Sequence, residues 1–344
     1  MTNNKAGTRL RWQRVAGRNE TILLVVLLGM IAAITAVSPR FLGAENLFSI
    51  LLGASYTGIF AIGFLFVLVS GGLDVSFTAV ATVAQYVMGT VLIADPQVSP
   101  LLAVLLPLAI GVALGCLNAL LIHYLNAPPI IITIANLNIF FGLLQFITGG
   151  EWLNGFPAWF DHFPQTFVLS FTNPDGVRYG LSIIVVIWLV LALAAGILMR
   201  YFKAGRKLYA MGGNMEAARR AGINTLHYRL FAYGFLGFCA GLGGLVHTLI
   251  TQTVVPNTLV GHEFDVVAAV VLGGASIFGG TGTVGGTLLG VLLLAVLGNA
   301  LTIMKVPTYW HEVFTGGIVI TSIAITTVSS IAARNREKKS HARH

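Results

Sequence analysis

Apolar stretches long enough to cross a bilayer recur along almost the whole chain, and no other feature restricts its folding so strongly. A helix spanning a hydrocarbon layer about 30 Å thick needs about 20 mostly apolar residues, within a range of about 17 to 25. Ten stretches qualify, at approximately 21–37, 50–69, 74–94, 100–122, 129–148, 181–200, 227–250, 262–280, 283–304 and 310–331. Of the 344 residues 56% are apolar and only 9% charged, against about 25% charged in a soluble domain. The sequence therefore predicts an all-α fold, a polytopic transmembrane helix bundle of about ten spans. The first run follows a basic tail without a clear small-residue cleavage site, and is read as a retained span rather than a signal peptide.

An even number of crossings puts both termini on one side, and the distribution of positive charge says which side. Lys5, Arg9, Arg11, Arg14 and Arg18 lie in the amino-terminal tail; Arg200, Lys203, Arg206, Lys207, Arg219, Arg220 and Arg229 between spans six and seven; and Arg334, Arg336, Lys338, Lys339 and Arg343 at the carboxy terminus. Only Arg40, Arg178 and Lys305 of the 20 fall on the other face. Both termini are therefore expected to be cytoplasmic. The resulting plan has a basic tail over 1–20, a transmembrane domain over 21–331 with a cytoplasmic segment at about 201–226 and an outer loop at about 149–180, and a second basic tail over 332–344.

The net charge of +8 sits beside apolar spans, where it faces anionic lipid rather than nucleic acid. Cys116 and Cys239 lie inside apolar runs and read as small core residues, with no metal or disulfide pattern. Trp152 and Trp159, with Glu151, Asp161 and Asp175 in the outer loop, suit an interfacial belt or, as a sharper reading, a docking surface for a solute-delivering protein.

Paired glycines break the apolar pattern at Gly71 and Gly72, Gly273 and Gly274, Gly279 and Gly280, and Gly285 and Gly286. Glycine lets helices approach closely and lets the backbone turn. In Ser70-Gly71-Gly72-Leu73-Asp74-Val75-Ser76, Asp74 stands where it could cap the helix that follows; proton or ion coupling is the other reading. Thr281 or Thr283 is available as a cap after the second break, and the similar tripeptides Leu73-Asp74-Val75 and Phe264-Asp265-Val266 hint at two related halves. Asn136, Asn138 and Gln145 in span five, the last two on one helical face, and His247 and Gln252 near the outer end of span seven, are either glue between helices or groups along a solute pathway.

The cytoplasmic stretch from Gly205 and Arg206 through Gly212, Gly213, Asn214, Glu216, Ala217, Ala218 and Gly222 encodes a short delimited helix. Asn214 is its cap, Glu216 suits its positive end, Arg219 and Arg220 its negative end, and Gly222 its left-handed stop. Two turns are marginal alone in water, so packing must hold them; a capped helix here is what a cytosolic ATPase partner would grip.

These residues resemble a known family. Gly205 to Ile223 is similar to the cytoplasmic motif of ribose-type sugar permeases, approximately F-G-R-x-x-Y-A-x-G-G-N-x-x-A-A-x-x-x-G-I. Ser70 to Ser76 resembles that family's S-G-G-I-D-L-S, and Glu263 to Gly274 its E-L-D-A-I-A-A-V-V-I-G-G, in the same order along residues 20–330. Phe77-Thr78, Phe141-Gly142 and Gly279-Gly280-Thr281-Gly282-Thr283 depart from the pattern, with two of the family's arginines missing. The resemblance implies a permease of the ribose, galactose, rhamnose and autoinducer-2 importer group in a bacterial inner membrane. It implies a second permease subunit, identical or related; a cytosolic ABC ATPase; and a periplasmic or extracellular solute-binding protein. The segment between spans six and seven would be the coupling helix.

This chain has no G-x-x-x-x-G-K-[ST] phosphate loop, so no cofactor is expected in it; ATP and magnesium belong to the partner. An ion-coupled secondary transporter, with Asp74, Glu263 or Asp265 binding a proton or cation, is the alternative. A membrane enzyme using His262, Glu263 and Asp265, or His311 and Glu312, is the other rival, though neither cluster has a recognised ligand or nucleophile spacing.

Overall fold

The structure is a computed structural model that describes residues 4–307, 309–310, 313–317 and 320. The long helices are α1 (Asn4–Val37), α2 (Ala44–Val69), α3 (Phe77–Ala94), α4 (Pro100–Leu125) and α5 (Pro129–Thr148). A short α6 (Ala158–His162) and two strands, β1 (Phe167–Thr172) and β2 (Arg178–Ser182), precede α7 (Ile183–Tyr201). Then come α8 (Lys203–Gly213), α9 (Met215–Arg220), α10 (Thr225–Thr251), α11 (His262–Leu272) and α12 (Val284–Ile303).

Among the described residues eight helices are long and apolar enough to cross a membrane: α2, α3, α4, α5, α7, α10, α12 and the Glu20–Val37 part of α1. Of the ten expected spans, one, 262–280, is not a single long helix, and one, 310–331, lies mostly outside the described residues. The stretch 262–280 is apolar but helical only through Leu272, because Gly273 and Gly274 turn the chain; hydropathy sees composition and not the break. The stretch 310–331 and the tail 332–344 lie mostly or wholly outside the described residues, as do His311 and Glu312. The all-α expectation is also corrected. In the loop 149–180, β1 and β2 pair antiparallel as a hairpin, around a turn in which Asn173 Oδ1 accepts the Val177 amide at 2.8 Å. Phe171 and Tyr179 stack across the hairpin, and Phe48 at the start of α2 leans on both.

The centre of the bundle is α2, α3 and α10. Residues 58–69 of α2 are buried throughout, whereas α4 and α5 turn many large apolar side chains outward, Phe146 and Ile147 among them. Lipid is as apolar as leucine, so tight van der Waals contact rather than hydrophobic expulsion must hold the helices together. The most extensive pairing, α4 with α10, shows how: Gly111 and Gly115 of α4 meet Gly237 and Gly241 of α10 backbone to backbone. A β-carbon at Gly111 or Gly237 would overlap the carbonyl of the other. Gly241 likewise lies under the carbonyl of Pro107, the proline inside α4. On the other side of α2, fully buried Trp188 of α7 fills the space left by Gly58. Cys239 is buried and Cys116 half-buried beside Gly234, both as free thiols.

Candidate functional site

The segment between α7 and α10 is two helices rather than one. α8 precedes the expected helix, and Gly205 allows the turn that joins it to α7, since a side chain there would overlap the Met199 backbone. Arg206 donates to the Tyr201 carbonyl at 3.0 Å, and Lys207 sits over the Tyr228 ring at the foot of α10. α9 has the expected limits. Asn214 Oδ1 accepts the Ala217 amide at 2.9 Å. At the other end Gly222 is left-handed, its amide donating to Arg219 and that of Ile223 to Ala218, which is a Schellman stop. Glu216 pairs with Arg220 at 3.2 Å. Ala218 is buried and Ala217 exposed, so α9 rests one face on the bundle and offers the other outward.

What the sequence did not reveal is where α8 ends. Gly212 lies against both breaks in the spanning helices: a β-carbon there would overlap the Val69 carbonyl and press on the Gly280 amide. Gly280 itself donates to the Val69 carbonyl at 3.0 Å. Gly71, Gly279 and Gly280 all have left-handed backbones, and a β-carbon at Gly279 would lie 2.8 Å from Gly71 Cα. Tyr209 of α8 donates to the Gly282 carbonyl at 2.7 Å. Burial pushes its hydroxyl up to about 12, so it remains a donor at physiological pH. Three glycine-rich turns far apart in sequence therefore form one backbone junction. Gly213 is open, and Gly72 lies under the Tyr233 ring. Gly273 and Gly274 end α11 against the first turn of α12, which Thr283 caps by accepting from Gly286 at 3.0 Å.

Asp74 is buried immediately beyond the junction. Its Oδ1 accepts from the Ser76 amide at 2.8 Å and the Ser76 hydroxyl at 2.7 Å, and its Oδ2 from Asn118 Nδ2 at 3.0 Å. It therefore binds the amide of the residue preceding α3, rather than capping the first helical turn as expected. Asn118 also donates to Ser76 Oγ, and Asn136 to Asn118 Oδ1 at 2.6 Å. Such a network satisfies a carboxylate that would be expensive to leave alone at this depth. Asn118 was missed by sequence reading; its signal is a lone amide in the otherwise apolar α4.

Span five divides. Asn136 joins that network as glue, while Asn138 and Gln145 share an exposed face away from it, Asn138 donating to its own helix at Ile134. Gln252 is also helical punctuation: it is left-handed, ends α10 and donates to Leu249 at 2.7 Å. His247 is different. It is buried, with Nδ1 3.2 Å from Gln85 Oε1, a bond that needs the proton on Nδ1, and its ring meets Tyr56 edge-on. Nearby, Glu263 turns inward to accept from Thr78 and the Gly261 amide, each at 3.1 Å. Asp265 stays half-buried, 3.7 Å from His262. The tripeptides around Asp74 and Asp265 are thus not equivalent: one lies in a break before a helix, the other within the first turn of α11. Among the described residues no group of three His, Cys, Asp or Glu could hold a metal.

Comparison with known proteins gives this geometry its class. Residues 46–323 match the family described as branched-chain amino acid transport system, permease component. The ribose import permease protein RbsC of Escherichia coli K12 is 30% identical over 305 residues, 88% of this chain and 92% of that one. The autoinducer 2 import system permease protein LsrC of Yersinia enterocolitica is 29% identical over 316 residues, 91% of this chain and 84% of its own. No solved structure matches. With a family match over most of its length and eight long apolar helices among its described residues, the chain belongs to this permease-component family, as a non-catalytic, multi-pass subunit of a bacterial inner-membrane transport system.

Proposed function

We propose that the chain is the transmembrane subunit of an ATP-binding-cassette importer, carrying a simple sugar or sugar-like solute inward by alternating access. Both termini and α8–α9 face the cytoplasm. A cytosolic ATPase grips the exposed face of α9, a second permease subunit completes the pathway, and a secreted binding protein delivers the solute at the opposite end. ATP and magnesium are bound by the ATPase alone.

The observation that carries this reading is the glycine junction. Movement of α9 is transmitted through α8 to Gly212, which touches both helix breaks by backbone; no flexible side chain intervenes to absorb the displacement. Packed elements of this kind shift between discrete arrangements rather than deform smoothly. The sugar-like solute class is supported by the similarity to permeases named for ribose and autoinducer 2.

The test is Ala217→Asp. Ala217 is exposed, so the variant is expected to insert normally, retain its thermal stability and lose ATP-dependent uptake. Unchanged uptake would refute the docking assignment. Solute accumulation in vesicles driven by an ion gradient, with no ATPase present, would replace this reading with the secondary transporter.

A further inference from the structure

At the end of the bundle remote from α9, a cleft of about 420 Å³ opens between α2, α11 and α12, within the roughly 300–1,000 Å³ range of small-molecule sites. Its polar lining includes Ser49, Tyr56 and Thr57 of α2, His262 and Asp265 of α11, and Asn299 of α12. We infer that this cleft is a transit-binding site for a neutral polyhydroxylated solute, with Tyr56 supplying an aromatic surface and Asp265 and His262 binding hydroxyls. The inference rests on the importer reading and adds to it where the solute is held.

The wall is set before any solute arrives. Asn299 and Asn46 exchange amide hydrogen bonds at 2.9 and 3.0 Å, which fixes α12 to the start of α2. Tyr56 is held edge-on between His247 and His262, with ring centres 5.2 and 6.2 Å away, so its two ring contacts restrict its orientation. Behind it His247 leads to Gln85, whose Nε2 is buried with no acceptor among the described residues. A line of polar groups therefore runs from the cleft toward the interior, through helices that are otherwise apolar.

The chemistry of the lining selects among solutes. A sugar offers hydroxyls that both donate and accept, and a C–H face that packs on an aromatic ring. Hydroxyls, an amide, an imidazole and one carboxylate answer those groups. The described lining contains no Lys or Arg, so a phosphate or an amino-acid carboxylate would enter without a fixed cationic partner and beside Asp265. That disfavours an anion; a branched-chain amino acid can set its ammonium against Asp265 but finds no fixed cation for its carboxylate, whereas an uncharged polyol needs neither.

The experiment uses the full transporter in membranes, with Thr57→Cys as a reporter in a chain carrying Cys116→Ala and Cys239→Ala. The rate at which a small methanethiosulfonate reagent labels the new thiol is measured with and without an equal mixture of D-ribose, D-galactose and L-rhamnose, and separately with L-leucine. Labelling is expected to slow about tenfold when sugar is about ten times its dissociation constant, to be unaffected by L-leucine, and to lose its sugar dependence on adding Asp265→Asn. Ser49→Cys serves as the reporter if Thr57→Cys fails to insert. No protection by sugar, equal protection by L-leucine, protection that survives Asp265→Asn, or a thiol sealed from reagent by a second copy of the chain would each overturn the proposal. ATP-driven sugar uptake by the same cells separates the outcomes. Uptake without protection removes the site and leaves the importer; absence of sugar uptake removes the importer reading itself.

Discussion

The two ends of the bundle use the same kinds of residue to opposite purposes. At the α9 end, Asp74 follows a glycine turn and is wholly enclosed, each oxygen answered by a neutral donor from Ser76 or Asn118. At the far end Asp265, in a nearly identical tripeptide, stays half-buried on the wall of a cleft, near His262. A carboxylate with all its bonds made inside the chain holds backbone in place. One on the wall of a cleft, as Asp265 is, borders a space that a solute can enter. On the proposed reading, the contrast assigns rigidity to the end gripped by the ATPase and adaptability to the end that takes up solute.

The largest expected effect tests that contrast directly. Asp74→Leu strands three buried donors, and each costs about 1–3 kcal/mol when left unsatisfied, so the chain should lose about 3 kcal/mol or more and yield little folded protein on detergent extraction. Asp265→Leu should extract normally, with stability changed by about 1 kcal/mol or less, as for other partly exposed positions. Equal losses of folded protein from the two variants, read by size-exclusion chromatography, would erase the distinction between the ends.

A second pair sharpens it at the α9 end. Ala218→Asp puts a carboxylate without a partner into a buried position, and the desolvation penalty should lower thermal stability by about 1–3 kcal/mol. Its neighbour Ala217 is outside, so Ala217→Asp should remain as stable as the parent and fail only in uptake. Thermal unfolding monitored beside transport separates loss of fold from loss of docking.

The junction makes a third comparison between adjacent residues. Gly212→Ala drives a methyl group into the Val69 carbonyl, an overpacking cost of about 1–3 kcal/mol, and should separate ATP hydrolysis from solute movement. Gly213→Ala meets nothing within 4 Å and should leave both unchanged. Coupled transport persisting in Gly212→Ala would mean that force reaches the breaks by another route.

Most of the fold was legible because the bilayer imposes length and composition on each crossing. Seven spans after the amino-terminal one were found as long helices, within a few residues of their apolar limits. The failures came where composition and geometry part. Residues 262–280 are apolar throughout, yet two glycines end the helix midway, and nothing in mean hydropathy registers a turn. The hairpin in the loop before α7 carried a signal, Asn173-Pro174-Asp175-Gly176 between two runs of apolar and hydroxyl residues, which is turn chemistry of an ordinary kind. α9 was readable to the residue because caps are local, whereas the junction at Gly212 joins turns separated by well over a hundred residues. The cleft was less readable still: Tyr56 sits in an apolar helix and acquires its role only from His247 and His262, brought to it by α10 and α11.

The smallest effect expected concerns the local signal that sequence reading found most easily. The Asn214 side chain contributes a single bond, accepting from the Ala217 amide, and replacing an asparagine cap by alanine costs about 0.5–2 kcal/mol, whereas glycine costs only a few tenths. Asn214→Ala should therefore fray the first turn of α9 and reduce, without abolishing, the uptake rate, while Asn214→Asp should restore it by keeping an acceptor at the positive helix end. Hydrogen exchange at the Ala217 amide should follow the same order, fastest in the alanine variant. An alanine variant whose exchange and uptake match the parent would mean that docking of the buried Ala218 face alone holds α9 in shape, and that the cap adds nothing to the transmission of force.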